Sequence, residues 1–137
     1  MDEQKNVQRP PDGYTQMNGF HKVTFQDGTV YEGEFRNGKR HGFGIHEFPN
    51  GIRYEGNFRN NSPNGKCSIE WGDYVKYTGS FIKGVPNGFG RTKYPSGEFY
   101  HGCMINGFMT GFGVYNDSNG RKHYGLFHKG TRIIPGE

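Results

Sequence analysis

The sequence predicts an all-β chain: an elongated, single-layer antiparallel sheet built from tandem 23-residue β-hairpins. Three observations carry this. First, 24 of the 137 residues are glycine, alanine is absent, and Leu126 is the sole leucine. Alanine and leucine are the strongest helix formers, and glycine costs about 1 kcal/mol in a helix interior, so helical bundles and doubly wound α/β enzymes are excluded. Second, aromatic residues make up 16% of the chain, whereas disordered chains are poor in them. With only 31% hydrophobic residues a thick core is out of reach, which leaves thin aromatic layers. Third, one aromatic-glycine string returns at a constant step of 23 residues.

Residues 1–12 share none of this register and are expected to form a flexible tail, with Arg9-Pro10-Pro11 its one stiff point. The repeat domain follows over 13–137. It comprises a half repeat at 14–30, full repeats at 31–53, 54–76, 77–99 and 100–122, and a truncated repeat with a cap at 123–137. Tyr31-Glu32-Gly33-Glu34-Phe35 opens the first full repeat; Tyr54 to Phe58, Tyr77 to Phe81, Tyr100 to Met104 and His123 to Phe127 are its copies. In phase with it run Gly42-Phe43-Gly44, Gly65-Lys66-Cys67, Gly88-Phe89-Gly90 and Gly111-Phe112-Gly113, with Gly19-Phe20-His21 one period earlier. An aromatic closes the segment at Phe25, Phe48, Trp71 and Tyr94, and Asp117 breaks that column.

Two turn signals punctuate each repeat. Asn37-Gly38, Asn106-Gly107 and Lys129-Gly130 follow the first strand; Asp27-Gly28, Asn50-Gly51, Ser96-Gly97 and Asn119-Gly120 follow the second. Primed hairpin turns, with positive φ at both central residues, are expected at these places. About eleven strands at ~4.8 Å spacing then give a sheet about 50 Å long. Each unit touches only its neighbours.

Alternation along a strand puts Tyr31, Gly33 and Phe35 on one face and Glu32 and Glu34 on the other. Gly44, His46 and Phe48 share a face on the next strand. A glycine beside each aromatic leaves room for a ring over the backbone. The expected core is therefore a stack of Tyr31, Tyr54, Tyr77 and Tyr100, paralleled by Phe35, Phe58, Phe81 and Phe127, each ring pair adding roughly 0.5–1.5 kcal/mol. Phe20, Phe43, Phe89 and Phe112 fall on the opposite alternation. Either they form a row of exposed rings, which would mark a partner groove, or they pack beneath the curvature of the sheet. Lys66 interrupts the row, and Trp71 is a further candidate anchor. Rim charges that would orient a partner are Glu32, Glu34, Arg36, Lys39 and Arg40.

Other chemistry finds little support. Gly42-Phe43-Gly44 lacks the third glycine and the helix of a phosphate loop. His21, His41, His46, His101, His123 and His128 show no spacing known for zinc. Glu32, Glu34, Glu47, Glu55 and Glu70 fall on exposed strand positions with no apolar pocket to shift them, so no catalytic residue, metal or cofactor is expected. Cys67 and Cys103 would lie three strands apart, about 14 Å at ordinary strand spacing, beyond the roughly 7 Å a disulfide tolerates. The charge of +4 is mild when spread along an elongated chain. Aromatics that stack on one another are not free for nucleic acid. No 18-residue apolar run is present, and residues 1–12 lack a signal-peptide core. A cytoplasmic location is the expectation. Ile133 and Ile134 either cap the last hairpin or seed a homodimer, and Pro135 favours the cap.

Residues 31–44 resemble the MORN repeat (membrane occupation and recognition nexus), whose pattern is Tyr-x-Gly-x-aromatic followed by Asn-Gly-x-x-x-Gly-x-Gly. The resemblance covers residues 14 to about 130. Departures fall at Asn61, Ser62, Pro63, Cys67 and Tyr74 of the second repeat and at Met104 of the fourth. The resemblance implies a twisted β-trough acting as a non-enzymatic scaffold. Its implied partner is a peptide or helical segment of a cytoskeletal, motor or ciliary protein, with localisation at the cytoskeleton or axoneme. Attachment to an anionic phospholipid membrane is the alternative it implies.

Overall fold

The computed structural model describes residues 17–71, 75–129 and 131–134. The expected tail, Tyr74 and Pro135 lie outside them. Eleven strands form one sheet: β1 (Gly19–Thr24), β2 (Val30–Arg36), β3 (Lys39–Glu47), β4 (Arg53–Arg59), β5 (Ser62–Trp71), β6 (Val75–Ile82), β7 (Val85–Lys93), β8 (Phe99–Ile105), β9 (Phe108–Asn116), β10 (Lys122–His128) and β11 (Thr131–Ile134). Their order across the sheet is their order in the chain. Every neighbouring pair is antiparallel. No helix occurs among the described residues, as the glycine excess and the lack of alanine require.

The two turns of a repeat differ in kind. After the first strand both central residues take positive φ: 50° and 81° at Asn37-Gly38, 50° and 87° at Asn106-Gly107. Lys83-Gly84 does the same at 48° and 88°, and Asn60-Asn61 at 48° and 77°, without a glycine. Asparagine tolerates this region better than other side chains. The second turn is not the primed turn expected. Of its residues only the glycine is positive, at 93° for Gly28 and 95° for Gly51. The Gly28 amide donates to the Phe25 carbonyl and the Phe25 amide to the Thr29 carbonyl, which is a three-residue loop closed by a glycine bulge.

The two glycines of each Gly-Phe-Gly string also do different things. Pairing passes from Gly33 opposite Gly44 directly to Phe35 opposite Arg40, so His41, Gly42 and Phe43 together face Glu34. The same irregularity recurs in every full hairpin. Its glycines, Gly42, Gly65, Gly88 and Gly111, have φ of 90°, 92°, 106° and 94°. The first glycine therefore bends the strand. The second makes room for a ring: a Cβ on Gly44 would lie within 2.5 Å of Tyr31 ring atoms.

Hairpins are stapled to one another by asparagine. The side-chain oxygens of Asn18, Asn64 and Asn87 accept from the amides of Asn37, Lys83 and Asn106, at 3.0, 3.0 and 2.9 Å. Each donor stands 19 residues after its acceptor, at the next first turn. The turn glycine amides of Gly38, Gly84 and Gly107 add bonds to the Met17, Pro63 and Pro86 carbonyls.

One face carries the core. Tyr31, Tyr77 and Tyr100 have no exposed surface, and Phe35, Phe58, Phe81, Met104 and Phe127 are buried beside them. Each of the three tyrosines donates its hydroxyl to the carbonyl three residues on, Glu34, Ser80 and Cys103, at 2.9, 3.1 and 3.0 Å. Burial pushes the Tyr77 and Tyr100 hydroxyls up to about 12. Rings meet edge to face, Tyr31 with Phe35 at 5.1 Å and Tyr100 with Phe127 at 5.0 Å, not as a parallel stack. The second repeat breaks this column. Cys67 occupies the ring-seat position, and its thiol donates to the Asn57 carbonyl at 2.9 Å, the acceptor a tyrosine hydroxyl takes in the other repeats. Tyr54 is left half-buried and joins two separate core clusters from their edges.

Candidate binding face

The face opposite the core holds the phenylalanine row. Register places Phe20 opposite Glu34, Phe43 opposite Asn57, Lys66 opposite Ser80, Phe89 opposite Cys103 and Phe112 opposite Leu126. Phe20, Phe43, Phe89 and Phe112 are 62%, 46%, 66% and 58% exposed, so they do not pack beneath the sheet. Their aim follows from alternation: the residues on either side of each ring, glycines except for His21, turn toward the core or bend the strand, leaving the ring pointing outward. Leu126 and Tyr124, which the repeat motif does not mark, are exposed on the same face of β10. Counting register across strands, not motif spacing, is what finds them.

Two of the expected site residues lie elsewhere. Trp71 pairs with Val75, two positions beyond Ile69, which stands opposite the buried Tyr77. Alternation therefore gives Trp71 the core-facing parity, apart from the phenylalanine row, though its ring is still partly exposed. Arg40 is no rim charge. It stands opposite Phe35, with its guanidinium over the Phe25 and Tyr31 rings at 5.6 and 5.9 Å. Alternation is the physical reason: Arg40 is four residues from the core-facing Gly44 and so shares its side, and the two extra residues at Gly42 bring it opposite Phe35. Glu32, Glu34, Arg36 and Lys39 do share the open face with Phe20 and Phe43.

Beside Arg40, His46 is buried among Tyr31, Phe48 and Phe58. Burial first, then the Arg40 charge, pulls it down to about 4, against a weaker opposing pull from Asp27. It is neutral at pH 7 and serves the core. Among the described residues no group of three or more His, Cys, Asp or Glu side chains is placed to hold a metal. Both cysteines are free, Cys67 buried and Cys103 half-buried, on β5 and β8. No helix of the described residues is long and apolar enough to cross a membrane.

What the geometry offers is an open face of exposed rings and charges on a sheet whose other face carries the core. No curated protein matches the chain. The MORN repeat model matches residues 31–53, 54–75, 77–99 and 100–122, which covers most of the chain. MORN repeats are in general modules of protein or membrane binding. Four repeats in unbroken phase, three of them with a tyrosine seated over paired glycines, make this chain a member of the MORN-repeat family.

Proposed function

We infer that this chain is a non-enzymatic scaffold that binds a segment of a protein partner along the face bearing Phe20, Phe43, Phe89 and Phe112. The observation that carries the reading is the exposure of these four rings, at one register position, on a sheet whose opposite face is fully used by its own core. Exposed apolar rows mark interaction sites, and aromatic anchors supply most of the energy at such interfaces. Glu32, Glu34, Arg36 and Lys39 flank the first two rings and would orient the segment. The resemblance to scaffolds of cytoskeletal, motor and ciliary assemblies supports a partner of that kind and a cytoplasmic, cytoskeletal or axonemal location.

Affinity purification from the native cell with the wild-type chain and a Phe43→Ser/Phe89→Ser variant tests this. The variant should melt like the wild type and lose the captured proteins. Capture that survives the double change, or a chain that no longer folds, overturns the assignment of the row. Attachment to anionic membrane is the competing reading. Co-sedimentation with acidic liposomes that fades with added salt, and no protein capture, would favour it.

A further inference from the structure

Charge is unevenly distributed along the open face. Residues 17–71 carry seven Lys or Arg against six Asp or Glu, whereas residues 75–129 carry seven against two. Five of those acids, Glu32, Glu34, Glu47, Glu55 and Glu70, lie on the open face and are partly paired there: Arg53 bonds Glu47 at 3.1 Å and Glu55 at 2.8 Å, and Lys76 reaches Glu70 at 3.6 Å. The two carboxylates of the second half are both engaged. Glu98 accepts from the Tyr115 hydroxyl, and Asp117 from His123 and the Asn119 and Arg121 amides. Among the described residues, the open face of β7–β10 thus has cations and no carboxylate to answer them.

These cations form an ordered pattern. Register across the four strands gives a row of Phe89, Cys103, Phe112 and Leu126, then Arg91, His101, Val114 and Tyr124, then Lys93, Phe99, Asn116 and Lys122. One margin is apolar and the other cationic. The rows are two residues apart along each strand, about 7 Å. Arg91 lies over the Phe99 ring at 4.1 Å, held at the middle of the patch.

We propose that the open face of β7–β10 takes an acidic segment of a protein partner, laid in extended form across the strands, with apolar side chains on Phe89 and Phe112 and carboxylates on Arg91, Lys93 and Lys122. This rests on the segment-binding reading above and adds the partner's chemistry. An extended chain sends successive side chains to opposite sides, so apolar and acidic residues in alternation satisfy the two margins together. Four strands at ~4.8 Å require about five such residues. The acidic first half argues against a flat anionic membrane: laying the whole face on one would press Glu32, Glu34, Glu47, Glu55 and Glu70 against like charge. A short segment covers the cationic half alone.

The test uses the full chain and three probes: a fluorescent eight-residue peptide of alternating Glu and Phe, its Lys-Phe counterpart, and vesicles of phosphatidylserine with phosphatidylcholine. The Glu-Phe peptide should bind, weaken at least tenfold with Arg91→Glu/Lys93→Glu, weaken with Phe89→Ser/Phe112→Ser, and be insensitive to Lys22→Glu on β1 in the first half. All variants should keep the wild-type melting temperature. Equal binding of the Lys-Phe peptide, or indifference to the Arg91 and Lys93 changes while the phenylalanine changes still act, overturns the acidic class and leaves segment binding standing. Indifference to both pairs of changes overturns both readings. Vesicle binding that depends on Arg91 and Lys93, without peptide binding, replaces the peptide by a lipid surface.

Discussion

The second repeat and its neighbours share a backbone but not a core. In the first, third and fourth repeats a tyrosine lies over two glycines and donates to the carbonyl three residues on. In the second, Cys67 fills one of those places, the thiol takes the carbonyl, and Tyr54 is displaced to half-burial. The same repeat has Lys66 where the others place phenylalanine on the open face, and Asn61 where they place glycine in the first turn. The hairpin geometry survives all three changes. Backbone pairing, bulge and turn are therefore the conserved part of the unit in this molecule, and the ring seat is the replaceable part. One consequence is that the core divides at the second repeat into two clusters that meet only through Tyr54.

The largest expected contrast comes from deleting a ring on either side of this difference. Tyr77→Ala should cost about 4 kcal/mol, as for a fully buried aromatic. Tyr54→Ala should cost about half that, because its ring is already partly exposed and its hydroxyl seats on no carbonyl. Urea unfolding of the two variants measures it, and equal losses would show that the second repeat is packed as tightly as the third.

A somewhat smaller effect separates the first repeat from the others by pH. His46 stands where they have Ile69, Thr92 and Tyr115. Its pKa falls from 6.5 to about 4 on folding, so between those values the unfolded chain binds a proton that the folded chain refuses. Stability is therefore whole above pH 6.5, falls as pH drops toward 4, and levels off below, with a loss of at most about 3 kcal/mol from this group. Comparing urea midpoints at pH 7 and pH 4.5 for the wild type and His46→Ile isolates it. The variant should lose less on acidification; an equal loss would place the acid sensitivity elsewhere.

The smallest effect comes from moving the second repeat's solution into the third. A Cβ at Gly90 would stand 2.2 Å from the Tyr77 hydroxyl oxygen and 2.3 Å from its ring carbons. Gly90→Cys should thus cost about 2 kcal/mol by overpacking and free the Tyr77 hydroxyl, lowering its titration midpoint in ultraviolet absorbance. No loss of stability would mean that a cysteine and a displaced ring serve as well as the glycine seat.

Much of this was legible in the residues. The 23-residue step and the Tyr-x-Gly-x-aromatic string mark the hairpins, and simple alternation separates Tyr31, Gly33 and Phe35 from Glu32 and Glu34. What a bulge changes is the partner across the strand, which simple counting cannot supply. Arg40 reads as a rim charge from its place among Arg36, Lys39 and His41, yet it shares the side of Gly44 and the bulge at Gly42 sets it opposite Phe35, over Tyr31 and Phe25. Trp71 reads as an anchor because it is large and singular; its register with Val75 gives it the other face. The cationic margin formed by Lys93 and Lys122 is invisible in one dimension, since those residues are 29 positions apart and meet only through Phe99 and Asn116.

By itself the sequence determined the class of structure, the repeat, the strand order and the ring column, because glycine content, turn chemistry and period-two alternation are local properties that act within a few residues. Tertiary structure decided which glycines bend the strand and which seat a ring, how Cys67 takes over a hydroxyl's hydrogen bond, and which charges share a face. Those depend on the pairing of strands many residues apart, where a bulge of two residues changes what stands opposite what.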